Sequence, residues 1–169
     1  VVQGADIAGG CPIVGVALYD SKLEMAKQFG MTCGFNAGSN LNLDFAIRKV
    51  VGSQGADVVV DTTGDARVIE LAYGLTHPNG KTVLVGVPRK GDHISIYSLP
   101  LHFDQVLTGS HGGGSKPHLD IPRYVRLFDA GKLRLNGIIT HSFGLRQIND
   151  AIQAVREGVA GRSVVDLDL

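Results

Sequence analysis

Cysteine is nearly missing from this chain of 169 residues: Cys11 and Cys33 are the only two, with no C-x-x-C. That excludes a disulfide framework and a zinc ribbon, and both are read as small buried residues. Tryptophan is absent and aromatics make up 6%, although 44% of the residues are hydrophobic. The core must therefore be built from Val, Ile, Leu and Ala, as buried parallel strands prefer. Net charge is missing too, because sixteen basic residues balance sixteen acidic ones. Without a positive field, neither nucleic acid nor a membrane surface is expected as a partner. No apolar run approaches the ~20 residues of a membrane span, and no secretory leader precedes Val1, so a cytoplasmic protein is expected. No Met stands at position 1, which reads as a fragment or a processed chain. His77, His93, His102, His111, His118 and His141 show no H-x-x-x-H spacing. None is assigned to zinc. His102 and His141 stand among apolar residues and read as structural.

Glycine, by contrast, is plentiful at 23 residues, so many tight turns are expected. Ile13 to Leu18 is a short apolar run that reads as a strand buried on both faces. Ser21 followed by Glu24 reads as a capping box, with Leu23, Met25, Ala26 and Phe29 on the apolar side and Gly30 as a left-handed end. Upstream, Val1 to Ala8 patterns as a helix ended by Gly9 and Gly10. Downstream, Thr32 to Phe35 is a short strand and Asn36 to Asn40 a polar turn. Leu41 to Val51 is a helix, with Asp44 four residues before Arg48.

Ala56 to Asp61 and Lys81 to Pro88 are two further apolar strands, separated by a helix over Ala66 to Leu75 and a stop at His77 to Gly80. Strands spaced by helices of roughly ten residues indicate βαβ crossovers and a parallel sheet. Ile94 to Tyr97 and Gln105 to Ser110 are weaker strand candidates. His111 to Ser115 reads as a hinge. Beyond it, Asp120 is placed to cap a helix through Ala130, with Pro122 in its first turn, Tyr124, Val125 and Phe128 inward and Gly131 at its end. Ile138 to His141 and Ser163 to Leu167 are strand-like. Gln147 to Glu157 is an amphipathic helix, with Ile148, Ala151, Ile152 and Val155 on one side.

The words DSKLEMAKQFG, ADVVVDTTG, KTVLVGVP, LTGSHGGGSK, DIPRYVRLFDAGKL, IITHSFGLRQINDAIQAVREG and GRSVVDL follow one another along the chain. In this combination the chain resembles the C-terminal, coenzyme-binding half of the medium-chain zinc-type alcohol dehydrogenase family. The resemblance implies an incomplete Rossmann-type doubly wound parallel sheet without its first strand, plus an α/β remnant of the catalytic domain. Residues 1–111 would be the partial dinucleotide-binding domain and residues 112–169 the remnant. The family's G-x-G-x-x-G turn, which holds the pyrophosphate on backbone amides, has no counterpart here. Its zinc ligands and proton-relay residues lie in the half that this chain does not match. A missing first strand would leave open edges beside the Ile13 and Val58 strands and favour self-association.

By the same resemblance, Val85, Gly86 and Val87 match a segment whose backbone binds the nicotinamide carboxamide, and Ser110 matches a second such site. Thr62 and Thr63 match positions beside the adenosine and ribose, Lys22 a basic residue near the ribose, and Arg162 an arginine for the pyrophosphate. Ala17 stands at the strand tip where NAD-binding members carry an acid that bonds the ribose 2′-hydroxyl. With alanine there, the cofactor is NAD or NADP, with neither selected. Asp20 would reach the ribose only with a shifted geometry.

The implied activity is hydride transfer between a small alcohol and its aldehyde or ketone, with zinc supplied by the parent enzyme, and a homo-oligomer is expected. A different reading is a truncated, catalytically inactive nucleotide-binding module. His111-Gly112-Gly113-Gly114 also matches the HGGG oxyanion motif of lipases and esterases. No G-x-S-x-G elbow accompanies it, and a hydrolase is set aside.

Overall fold

A computed structural model describes residues 1–39, 42–158 and 161–169. Asn40 and Leu41, the end of the expected turn and the start of the expected helix, lie outside the described residues. In chain order the elements are α1 (Val2–Ile7), β1 (Val14–Ala17), α2 (Asp20–Gln28), β2 (Cys33–Asn36), α3 (Leu43–Val51), β3 (Ala56–Asp61), α4 (Ala66–Gly74) and β4 (Thr76–Leu84). They continue with β5 (Val106–Gly109), α5 (Pro117–Asp129), β6 (Ile139–Gly144), α6 (Ile148–Arg156) and β7 (Arg162–Asp166). Every strand pair is parallel, as the alternation of strand and helix predicts. The residues fall into two compact units, Asn42–Asp120 and Val1–Leu41 with Ile121–Leu169.

In the Asn42–Asp120 unit the sheet runs β3-β4-β5. α4 lies on β3 and β4, burying Ile69, Ala72 and Tyr73 beside Leu75. Asp65 caps α4 by accepting from the N–H groups of Arg67 and Val68. Asn42 caps α3 through the N–H of Phe45. Arg48, paired with Asp44 at 3.1 Å, also donates to the carbonyls of Ser53 and Gly74, tying the end of α3 to the end of α4. Thr76 and Thr82 share a hydrogen bond of 2.7 Å in the interior.

The other unit holds two pairs of strands, β1-β2 and β6-β7. α2 lies on β1 and β2 and contributes Leu23 to a small core with Ile13, Phe29 and Met31. α1 is held to the stretch after α5 by Gln3, whose side chain donates to the Arg134 carbonyl and accepts from the Arg134 N–H, both at 2.8 Å. α6 lies on β6 and β7.

Several expectations need correction. β1 is not buried on both faces: Val16 is exposed, because β1 has β2 as its one neighbour among the described residues. α2 begins at Asp20 with no side-chain cap, so the capping box does not form. Glu24 turns to Lys27 instead, at 2.6 Å. β4 starts at Thr76, takes a bulge through the expected stop at His77–Gly80, and ends at Leu84, leaving Val85–Pro88 outside the sheet. Ile94–Tyr97 forms no strand; the Ser95 N–H goes to the Glu70 carboxylate rather than into a ladder.

α5 begins three residues before Asp120, which accepts from the Lys116 N–H inside the first turns rather than standing at the cap. Tyr124, Val125 and Phe128 are exposed rather than inward, and on α6 only Ala151 is buried. Cys11 is exposed, and so are His102 and His141, whose ring bonds Thr140 and stacks on Phe143. As expected, β1 and β3 are edge strands in their sheets among the described residues.

Candidate functional site

The C-terminal ends of parallel strands are where an α/β sheet offers a crevice for ligands, since the chain leaves each strand there in a loop. In the Asn42–Asp120 unit these ends are Asp61, Leu84 and Gly109. The loops that follow carry Thr62, Thr63, Val85, Gly86, Val87 and Ser110. The structure brings these six together. Val85 and Gly86 donate their N–H groups to the Asp61 carbonyl at 2.8 and 3.1 Å, and the Ser110 N–H donates to the Leu84 carbonyl at 2.8 Å. A Cβ on Gly86 would lie 2.2 Å from the Gly64 nitrogen, and one on Gly64 would lie 2.5 Å from the Val87 oxygen. The two loops are therefore in backbone contact, and Gly64 also needs its φ of +72°.

These bonds refine which groups a ligand would meet. The N–H groups of Val85, Gly86 and Ser110 are committed internally. Among the described residues, no hydrogen bond engages the Val85 carbonyl or the Val87 N–H. Val87 is 88% exposed, and Thr62 and Thr63 are exposed residues, the Thr63 hydroxyl being bonded to Asp61 and to the Asp65 N–H. One acceptor and one donor two residues apart match a primary carboxamide, which presents the opposite pair. The Ser110 hydroxyl accepts from the Gly113 N–H at 3.1 Å, and Gly112 to Gly114 all take positive φ. Beside the rim, Arg67 holds the Asp65 carboxyl below its ordinary range through a side-chain hydrogen bond, assisted by backbone N–H groups.

The residue that sequence reasoning missed is Asp61. It is 1% exposed and its carboxylate accepts from the Thr63 N–H, the Thr63 hydroxyl and the Gly64 N–H at 3.0, 2.7 and 3.0 Å. An aspartate followed by Thr63 two residues on and Gly64 three on is an Asx-turn signal that was there to be read.

The remaining candidates belong to the other unit. Ala17 ends β1, its carbonyl accepting from the Ala37 N–H at 2.9 Å. Asp20 accepts from the Asn36 side-chain amide at 2.7 Å, which occupies the carboxylate nearest in sequence to that tip. Lys22 is half-buried on α2. Arg162 opens β7 with an exposed side chain. A Cβ on Gly161, directly before it, would meet Met25 of α2 and Thr140, and one on Gly158 would meet the Tyr19 ring. Gly158 and Gly161 thus lie near α2, in the same unit as Lys22 and Ala17.

A cavity of about 460 Å³ opens elsewhere in the Asn42–Asp120 unit, lined among others by Arg48, Glu70, Tyr73, Tyr97 and Gln105. None of the rim residues line it. Burial pushes the Tyr73 phenol above its ordinary range while its hydroxyl donates to the Tyr97 carbonyl. Among the described residues, no three His, Cys, Asp or Glu side chains gather as metal ligands.

The family model described as zinc-binding dehydrogenase matches residues 1–130. An S-(hydroxymethyl)glutathione dehydrogenase from Paracoccus denitrificans is 33% identical over 98% of this chain and 46% of its own length. An alcohol dehydrogenase-like protein from Arabidopsis thaliana is 33% identical over 99% of this chain and 44% of its own. A solved alcohol dehydrogenase zinc-binding domain protein from Burkholderia ambifaria, 26% identical, superposes with a TM-score of 0.89 over 98% of this chain and 44% of that one. The chain thus spans less than half the length of the curated relatives it matches. Its parallel α/β architecture, the C-terminal rim of β3, β4 and β5 and these matches converge, and the chain belongs to the zinc-binding dehydrogenase family, of whose alcohol dehydrogenases it matches the Rossmann-type coenzyme-binding half.

Proposed function

We propose that this chain is the coenzyme-binding part of a zinc-type alcohol dehydrogenase-like oxidoreductase that moves hydride between a small alcohol and its aldehyde or ketone, with NAD or NADP as the partner. The observation that carries it is the rim. Two loops in backbone contact leave the Val85 carbonyl and Val87 N–H unengaged among the described residues, at the strand ends that also carry Thr62, Thr63 and Ser110. The nicotinamide carboxamide meets Val85–Val87 and Ser110, and Thr62 and Thr63 serve the adenosine ribose. By the family resemblance, Arg162 answers a phosphate charge, and Ala17 with Lys22 stands at the position that distinguishes the two cofactors.

The dinucleotide supplies the hydride acceptor, while these residues bind and orient it. Residues 1–111 serve the dinucleotide and 112–169 belong to the catalytic domain of the whole protein, whose zinc ligands lie outside this chain. The whole protein works as a cytoplasmic homo-oligomer. Titrating NADH and NADPH into the whole protein and following nicotinamide fluorescence tests the reading. Saturable binding of one or both is expected, together with an alcohol-dependent absorbance rise when NAD+ or NADP+ is supplied. No binding of either, and no rise across primary and secondary alcohols, would sink it.

A further inference from the structure

We infer that Asp61 is a positioning residue for the dinucleotide, holding the Thr62–Gly64 turn and the Val85–Val87 segment in one fixed arrangement. This rests on the cofactor reading proposed above. Asp61 ends β3, paired with Leu84 of β4, and is almost wholly buried, yet its carboxylate and its carbonyl both bond the rim loops. Its side chain takes the Thr62–Gly64 turn. One carboxylate oxygen accepts from the Thr63 N–H and hydroxyl, and the other accepts from the Gly64 N–H. Its main chain takes the second loop, with the carbonyl accepting from both Val85 and Gly86.

The loops then meet each other at Gly86 and Gly64, where neither backbone has room for a Cβ. A shift in the turn is therefore passed to Val85–Val87 by contact, not through solvent. The Thr63 hydroxyl extends the tie by accepting from the Asp65 N–H at 3.0 Å, which joins the turn to the start of α4. A buried carboxylate is tolerated where its oxygens are met by donors, as these are.

Asp61→Asn keeps the shape and removes half of the tie. The amide has one acceptor oxygen and presents N–H donors to the other side, so it faces Thr63 or Gly64 donor to donor. In the whole protein we expect amide hydrogen exchange at 62–65 and 85–87 to quicken about tenfold while β5 is unchanged. The Kd for NADH, or for NADPH where that is the cofactor bound, rises about tenfold with an orphaned buried N–H. The KM for alcohol at saturating cofactor stays the same. Thr82→Val is the control, since it removes the buried Thr76–Thr82 hydrogen bond and lowers Tm without touching either loop.

Should Asp61→Asn fail to fold, Thr63→Val takes its place. It removes one donor to the carboxylate and is read by exchange at 85–87, which the Thr63 hydroxyl does not contact directly. Unchanged exchange at 85–87, or a cofactor affinity that falls as far in Thr82→Val as in Asp61→Asn, overturns the positioning role. Wild type that binds neither cofactor overturns the functional reading and with it the role for the dinucleotide. Wild type and Asp61→Asn that bind equally well overturn the positioning role alone.

Discussion

α4 and α6 carry nearly the same apolar spacing and meet opposite fates. On α4, Ile69, Ala72 and Tyr73 are buried against β3 and β4. On α6, Ile148, Ile152 and Val155 remain at 40%, 43% and 61% exposure, and only Ala151 is covered. Both helices have good periodicity and both lie on a parallel strand pair. The difference is the number of layers each meets. α4 sits on a three-stranded sheet whose interior already contains Thr76, Thr82 and Gln105, and the α3 end is tied to it through Arg48. α6 and the exposed Leu119, Ile121, Tyr124, Val125 and Phe128 of α5 meet less of the chain. Amphipathic pattern says which face wants cover. It does not say that cover is present.

The comparison is broken most directly by a pair of truncations. Ile69→Ala removes a side chain that is 2% exposed. It should cost about 3–4 kcal/mol in urea unfolding of this chain, transfer and cavity terms together. Val125→Ala, on the uncovered face of α5, should stay within about 0.5 kcal/mol. If the two costs were alike, the contrast between the regions would be wrong. Next in size is Gly86→Ala. The new methyl would sit against Thr63 and Gly64 backbone, which cannot step aside as a flexible side chain would. A loss of about 2 kcal/mol is expected from overpacking, read by the same unfolding curve. A neutral outcome would mean that the two loops are looser than their backbone contact implies.

Much of the Asn42–Asp120 unit was legible. β3 has the bounds that its apolar run suggests, and α4 differs by one residue, because local pattern and burial agree there. β1 was misread as doubly buried because an apolar run cannot show how many neighbours a strand has. Tyr124, Val125 and Phe128 failed for the same reason. Ile94–Tyr97 failed because one side-chain acceptor, Glu70, claims the N–H that a ladder would need. In the candidate site, the gathering of Thr62, Thr63, Val85–Val87 and Ser110 followed from their positions after three consecutive parallel strands. Asp61 was passed over because an acid at a strand end reads as solvated. Its burial is visible only once both loops fold back over it.

The smallest effect separates two helix starts that look equally strong on paper. Ser21 and Glu24 have the spacing of a capping box, yet α2 starts at Asp20 with no side chain bonded to its first N–H groups, and Glu24 is engaged by Lys27. Asn42, with no such box, accepts from the Phe45 N–H at 3.0 Å and does cap α3. Asn42→Ala should therefore cost about 1 kcal/mol, the usual worth of a formed cap. Ser21→Ala should cost no more than a few tenths of a kcal/mol, since it removes no bond to an orphan N–H and leaves only a surface pair nearby. Both are measured as shifts of the urea midpoint at constant slope. A Ser21→Ala loss as large as that of Asn42→Ala would show that the box forms in solution. The first turn of α2, separated from Ala17 by Leu18 and Tyr19, would then be held from within rather than by the Asp20–Asn36 bond.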